Sequence, residues 1–324
     1  MRKLNQENLV GVWSAIPTPF TSELELDTES VSRLVEHQVR LGIKGLFVAS
    51  PNGEGHLMSD SMRMELAKEM VKNNHERMLL SMQVKDNSVK LMLDDIKCMK
   101  DCGIDIAVIN FPLSYIIEPK LEYIQRLYLS VLEKSVLPIA VCHVSGFPFI
   151  LKSILLLEEI CFHPKVVLVK DCSGGYPEPT KMFMKSFRKH KELLPALAGT
   201  EFECIPYVKS DYDGLLLGSA CFTGFVAGEI LDLAKDKRMK DAQKIQDYMN
   251  SLLVDVFGLE LEHYLVGQKQ MMVELGIFNT AKTLQNYPVS EELINTIKEI
   301  VRQEKEYLLS QIKHSKTKRM IKMC

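Results

Sequence analysis

The apolar run Val166-Val167-Leu168-Val169 ends in Lys170 and passes directly into Asp171-Cys172-Ser173-Gly174-Gly175. A short run of this kind, rich in β-branched residues and without helical period, predicts a buried strand. An ammonium at its end is costly to bury unpaired. Desolvation favours the neutral amine, and a neutral lysine amine can attack a ketone carbonyl to form a Schiff base. The same side chain could instead end the strand and carry its charge out to water on its aliphatic stem. Taken alone, the segment leaves both readings open.

A second chemistry-bearing pair, Cys142-His143, closes the apolar run Leu137 to Val144. Thiol and imidazole together suggest a nucleophile and its base, but successive strand residues point to opposite faces, so only one of the two can easily face the same interior. No grouping of His, Cys and carboxylates has metal-ligand spacing, so no metal is expected. Cys98 and Cys102 are four apart on a predicted helix, and the chain has no Cys-x-x-Cys pair.

These residues need a scaffold. Apolar runs recur at Val12 to Ile16, Gly45 to Ala49, Met78 to Val84, Ile106 to Phe111, Leu137 to Val144, Val166 to Lys170, Leu194 to Ala198 and Gly214 to Gly218. Amphipathic stretches lie between them, such as Ser30 to Leu41, Ser59 to Val71 and Leu91 to Cys102, the last followed by Gly103 as a C-terminal cap. Alternating strand and helix at the length of a βαβ unit predicts an α/β fold, a closed (β/α)₈ TIM barrel rather than an open sheet. The first strand has no Gly-x-Gly-x-x-Gly turn after it, which argues against dinucleotide binding. Beyond the eighth unit, Lys240 to Val256, Leu259 to Leu275 and Glu291 to Leu309 are helical in period, with Ser290 as an N-cap. The expected organisation is a barrel over 9–236, a C-terminal helical extension over 237–310 and a basic, flexible tail over 311–324. In such barrels chemistry sits at the C-terminal ends of the strands, the layer in which Lys170 falls.

The bulk properties narrow the function classes. The chain has 324 residues, 46% apolar and 25% charged, with a formal net charge of −2. That balance speaks against nucleic acid as a partner. No apolar run approaches the ~20 residues needed to span a bilayer, and the polar start Met1 to Asn8 has no signal core. The eight cysteines are expected to be reduced, as in a cytoplasmic protein.

Five segments in order give a more specific reading: Ala15-Ile16-Pro17-Thr18-Pro19-Phe20, Ser50-Pro51-Asn52-Gly53-Glu54, Leu137-Pro138-Ile139, Val169-Lys170-Asp171-Cys172-Ser173-Gly174, and Asp213-Gly214 to Gly218-Ser219. Together they resemble the dihydrodipicolinate synthase / N-acetylneuraminate lyase family of class I, pyruvate-dependent aldolases, over about Gly11 to Leu308, as a divergent member. The resemblance implies that Lys170 condenses with the keto group of pyruvate or another 2-keto acid. The iminium then serves as an electron sink for carbon–carbon bond making or breaking, or for dehydration. It implies substrate contacts from Ser50, Pro51, Asn52, Gly53 and Ser219, no separate cofactor because the substrate is held covalently, and a homo-oligomer, a tetramer built as a dimer of dimers.

The sequence also departs from that pattern. Where the family's fifth strand carries a proton-shuttling tyrosine, this chain has Cys142, and a thiol differs from a phenol in reach and pKa. A second family tyrosine aligns with Ser114, with Tyr115 adjacent as a catalytic substitute. Pro51 has no N–H to offer a carboxylate. The arginine that follows the fifth strand in the dihydrodipicolinate synthases is replaced by Gly146 and Phe147-Pro148-Phe149. The expected activity is therefore a Schiff-base lyase or aldolase other than a true dihydrodipicolinate synthase, with Lys170, Cys142 and Tyr115 as catalytic groups. The alternatives are an impaired member that binds or senses a 2-keto acid, and an interaction protein in which Lys170 is structural.

Overall fold

Each of the eight apolar runs forms a strand. In the computed structural model, which describes residues 2–85, 88–110, 121–144, 160–172, 184–185 and 194–314, with side chains omitted at 121, 124, 143, 144 and 305–314, these are β1 (Gly11–Ala15), β2 (Gly45–Val48), β3 (Leu79–Gln83), β4 (Ile106–Asn110), β5 (Ile139–Val144), β6 (Val166–Cys172), β7 (Ala196–Ala198) and β8 (Gly214–Leu217). They pair in parallel in chain order, and β8 returns to β1 to close the barrel. The fold is a TIM barrel with C-terminal helices at Met239–Phe257, Tyr264–Glu274 and Glu291–His314. Among the described residues no helix is long and apolar enough to cross a membrane.

The alternation along each strand divides the core in two. Residues on one face, including Trp13, Phe47, Leu79, Ile106, Val108, Ala140, Cys142, Leu168, Leu197 and Leu216, fill the barrel lumen. Those on the other, such as Leu46, Leu80, Val141 and Val169, pack beneath the surrounding helices with Leu34, Leu66, Ile96, Val131 and Ile230. Each such buried aliphatic or aromatic side chain is worth roughly 1.5–3 kcal/mol of transfer free energy. The N-terminal end of the lumen is stoppered: the Trp13 indole N–H donates to the Leu9 carbonyl at 3.0 Å, and Leu4 and Leu9 pack on the lumen residues. Lys170 falls at the opposite, C-terminal end.

Side-chain caps set where the helices start. Asp27 accepts from Ser30 N at 3.0 Å, Ser59 from Met62 N at 3.2 Å, Ser88 from Leu91 N at 3.3 Å and Ser290 from Leu293 N at 3.1 Å, each satisfying an orphan N–H of a first turn. Gly103 ends the helix Val89–Cys102 at φ 96° as anticipated.

One buried titratable group couples this scaffold to pH. His37, on the helix Thr28–Arg40, is buried with its Nε2 3.0 Å from the Cys221 carbonyl, which also accepts from Gln38. Burial pulls its pKa down to about 4 against that hydrogen bond. The folded protein therefore holds fewer protons here than the unfolded chain between pH 6.5 and 4. Stability from this group is present in full above pH 6.5 and is lost as pH falls toward 4, by about 3 kcal/mol. Urea midpoints at pH 7 and pH 4.5 should show a larger acid loss for the native chain than for His37→Gln, and equal losses would contradict it.

Candidate active site at the open end of the barrel

Lys170 lies on the lumen face of β6, its Nζ 5.6 Å from the centroid of the Phe47 ring, a cation–π distance. Asp171 points the other way, buried under the helices, where it accepts from the Tyr212 hydroxyl. That opposition is what the strand period demands. The strand itself runs two residues farther than the sequence reading set it, to Cys172, because β5 and β7 extend alongside: Val144 pairs with Cys172 and Ala198 with Asp171. Cys172 therefore shares the lumen face with Lys170.

Cys142 sits directly across the ladder from Lys170, buried in the lumen. Cys172, on the same lumen face, packs against the cluster that holds Cys142. A glycine, Gly199, makes the room: a Cβ there would lie 2.4 Å from Cys172 Sγ and 2.7 Å from Lys170 Cε. The charges follow from this geometry. The Cys142 thiol and the Lys170 charge draw the Cys172 thiol down to about 7 against the cost of burial. Cys172 and burial push Cys142 well above the ordinary thiol value. Burial alone would lower Lys170, but the Cys172 and Cys142 sulfurs and the Glu201 carboxylate outweigh it and hold the amine above the ordinary lysine value. The expectation of a neutral, desolvated amine is thus reversed. Lys170 rests as an ammonium beside the Cys172 sulfur.

The loop after β2 is shaped by strain and by a buried ion pair. Ala49 and Glu54 both adopt left-handed backbone, at φ 50° and 57°, each costing on the order of 1–2 kcal/mol for a residue with a Cβ. Glu54 is held by Lys269 of the helix Tyr264–Glu274: Nζ and Oε1 are 2.5 Å apart, with side chains 0% and 1% exposed. The Leu284 N–H donates to the other carboxylate oxygen at 2.6 Å, Lys269 donates to the Lys282 carbonyl at 2.6 Å, and the ammonium lies 4.2 Å from the Phe20 centroid. Burial still pulls the Lys269 amine down to about 8, with Glu54 opposing. Thr18 donates to the Gly53 carbonyl at 2.7 Å, which fixes the loop on the end of β1.

Of the residues expected to hold substrate, Ser50 is buried with its hydroxyl 3.4 Å from its own loop's Gly53 N–H. Pro51 is exposed. The Asn52 amide donates to the Tyr264 hydroxyl at 3.1 Å and to the Ala15 carbonyl at 3.4 Å. Ser219 is buried, and its N–H, with that of Gly218, donates to Glu201 Oε1 at 3.1 and 2.7 Å. The Tyr264 hydroxyl donates to the same oxygen at 3.0 Å. Gly218 has to be glycine here, because a Cβ would lie 2.0 Å from the Asn52 amide nitrogen and 2.1 Å from the Tyr264 oxygen. The β2 loop, the start of the helix Ala220–Lys235 and the C-terminal extension thus meet in one network around Glu201. Tyr115, Ser114 and the Phe147-Pro148-Phe149 segment lie outside the described residues, as does the His143 side chain.

Cys172, Glu201, Tyr264 and Lys269 were not singled out from the sequence. Cys172 follows from Lys170 by the two-residue strand period, and Lys269 stands out as a lysine among the buried Val266, Met271 and Met272. Glu201 lies just past the seventh apolar run, in the strand-end layer where barrel chemistry sits, whereas Tyr264 carries no local signal. Two further polar atoms face the open end by strand alternation, Gln83 Oε1 and Asn110 Oδ1, both buried and without a partner among the described residues. Those residues contain no group of His, Cys, Asp or Glu able to hold a metal ion.

The comparisons with known proteins decide the family. Residues 8–304 match the model of the dihydrodipicolinate synthetase family. This chain belongs to that family. Its similarity to individual members is low: 21% identity over 290 residues to a 4-hydroxy-tetrahydrodipicolinate synthase of Oceanobacillus iheyensis, covering 86% of this chain and 95% of the relative. An N-acetylneuraminate lyase of Rhizobium meliloti is 23% identical over 283 residues, covering 85% and 84%. Among solved structures, the dihydrodipicolinate synthase of Acinetobacter baumannii complexed with pyruvate superposes with a TM-score of 0.78 at 20% identity, covering 91% of this chain and 98% of that one. A family that includes both named activities, met at such identities, makes this chain a divergent member.

The ion pair between Glu54 and Lys269 generates a stability prediction. Lys269→Met leaves a carboxylate buried without its cation and should cost roughly 3–5 kcal/mol. Adding Glu54→Gln to Lys269→Met should recover part of that loss, measured by chemical denaturation. A double variant as unstable as the sum of the two single variants would show that the two side chains do not act as a pair.

Proposed function

We propose that this chain is a Schiff-base lyase or aldolase acting on pyruvate or another 2-keto acid, distinct from a true dihydrodipicolinate synthase. The observation that carries the reading is Lys170 on the lumen face at the C-terminal end of β6, beside Cys172 and facing Cys142 across the ladder, in a chain of this family. Nucleophilic attack requires Lys170 to shed a proton to solvent or substrate. The amine nitrogen then adds to the keto carbon, water leaves from the carbinolamine, and the iminium accepts the electron pair of the bond adjacent to it. Cys142, protonated at neutral pH, stands where the resemblance places the family tyrosine and is a donor toward the departing oxygen. Phe47 gives the cation an apolar, polarisable wall. Gln83 and Asn110 supply acceptor atoms for substrate hydroxyls. No separate cofactor is needed, since the substrate is held covalently. The reading extends to a soluble homo-oligomer, a tetramer as in the family pattern.

A second reading, a binding or regulatory protein for 2-keto acids with little turnover, is favoured by two observations. The Gly218 and Ser219 N–H groups at the start of the helix Ala220–Lys235 are already bonded to Glu201. Pro51 has no N–H, and the Asn52 amide is bonded to Tyr264 and Ala15. Fewer donors remain for a substrate carboxylate, each missing charge-assisted bond being worth on the order of 1–3 kcal/mol.

Reductive trapping separates these readings. Incubation with pyruvate and borohydride should add one reduced pyruvate to the peptide containing Lys170, and Lys170→Ala should abolish the adduct while leaving the circular dichroism spectrum unchanged. A Lys170→Ala protein that still gains the adduct in full would move the chemistry to another amine, such as Lys85, whose ammonium donates to the Met58 carbonyl and Asp60. A trapped adduct without turnover on any aldol substrate supports the second reading.

A further inference from the structure

We propose that the sulfurs of Cys98, Cys102 and Met64 form a binding site for a soft monovalent metal ion, copper(I), in the seam between two outer helices of the barrel. The site shares no residue with the barrel mouth, and the inference stands apart from the lyase reading.

Asp95, Cys98 and Cys102 stand at i, i+3 and i+7 on the helix Val89–Cys102, which places them along one flank. The first and the last of them touch the neighbouring helix Asp60–Asn74. Asp95 pairs with the Arg63 guanidinium at 2.9 Å, and the Cys102 sulfur lies 3.8 Å from the Met64 sulfur. Cys98 falls between them along the helix axis and so stands on the same seam, one turn from Cys102, with Cβ atoms about 5–6 Å apart. Both cysteines are free thiols, Cys98 exposed and Cys102 partly so, and Met64 is half-buried beneath them. An ion can therefore enter from water. The helix ends at Gly103 and leads into the start of β4, so the seam lies on the outer wall toward the N-terminal ends of the strands, away from Lys170.

The donor set chooses the ion. Thiolates and a thioether are soft ligands and select copper(I), whereas a structural zinc ion calls for four nitrogen or sulfur donors around a tetrahedron. Among the described residues no third His, Cys, Asp or Glu joins the two thiols to make such a set. Metal–sulfur bonds of about 2.3 Å hold neighbouring sulfurs about 3.8–4 Å apart. That separation is already present between Cys102 and Met64. Cys98, at the exposed lip, closes over the ion from the adjacent turn. Loading displaces the two thiol protons to water, and the ion gains two thiolate bonds and one thioether bond with no change of oxidation state. Lys68, one turn beyond Met64 and beside Cys102, offsets the negative charge of the loaded site.

The test uses the full chain, reduced and kept free of oxygen. Copper(I) is offered as its coloured bicinchoninate complex, and transfer to the protein is followed by loss of colour. The expected result is one ion taken up per chain, with X-ray absorption showing three sulfur neighbours at about 2.3 Å. The thermal midpoint should rise, because the ion binds the folded helix pair and ties it together. In the native chain, with no substitution, copper(I) should protect Cys98 and Cys102 from iodoacetamide, read by peptide mass. Cys98→Ser, at an exposed position, should fold normally and weaken copper(I) binding by at least about tenfold, a loss that even outer-shell changes reach. Met64→Leu should weaken it likewise. Equal labelling of both thiols with and without copper(I) overturns the site, as does undiminished uptake by a Cys98→Ser/Cys102→Ser variant. Unchanged affinity in Met64→Leu, or nitrogen or oxygen neighbours in the absorption spectrum, overturns the three-sulfur assignment. Displacement of copper(I) by equimolar zinc(II) overturns the preference for a soft ion. None of these readouts involves Lys170, so the lyase reading stands or falls separately.

Discussion

The buried contact between Glu54 and Lys269 is the constraint on which the site depends. A carboxylate and an ammonium, each removed from water, can stay charged only while they stay together. Their meeting fixes a left-handed residue in the β2 loop and anchors the C-terminal extension over the barrel mouth. From the same helix Tyr264 reaches Asn52 and Glu201, and through Glu201 the start of the helix after β8. The extension is thus part of the site: its helix, through Lys269 and Tyr264, fixes the shape of the loops that face Lys170.

Inside that frame the lumen carries an unusual charge arrangement. The usual route to a nucleophilic lysine is desolvation, which discharges the amine before substrate arrives. Here the amine is kept charged by sulfur neighbours and by Glu201, so it has to lose a proton before it can attack. The cost of burying the cation is offset locally, and the fully buried Phe47 shields it.

Much of the architecture was legible in the sequence because it is written in short-range periodicity. All eight apolar runs are strands, and the helices that continue past the eighth strand–helix unit form the C-terminal extension. Lys170 was legible from its place at a strand end, and the orientations of Cys142 and Asp171 follow from the period of two. What escaped is carried by contacts between residues far apart in the chain. Glu201 and Tyr264 are 63 residues apart, and Tyr264 sits in no run that marks it out. The pKa of Lys170 was misjudged for a related reason: burial is visible in a strand pattern, whereas the sulfur of Cys172 beside it depends on β6 continuing past the lysine, which its neighbours β5 and β7 decide.

The central claim, a reactive Lys170 beside Cys172 at the open end of a barrel shaped by its C-terminal helix, is tested most directly by a crystal structure of the reduced protein soaked in pyruvate. The account predicts continuous density from Lys170 Nζ to the keto carbon, with Cys172 beside the lysine and the substrate carboxylate directed toward the Ser50–Gly53 loop. Pyruvate bound away from Lys170, with the lysine amine unmodified and Glu54 still paired with Lys269, would contradict it.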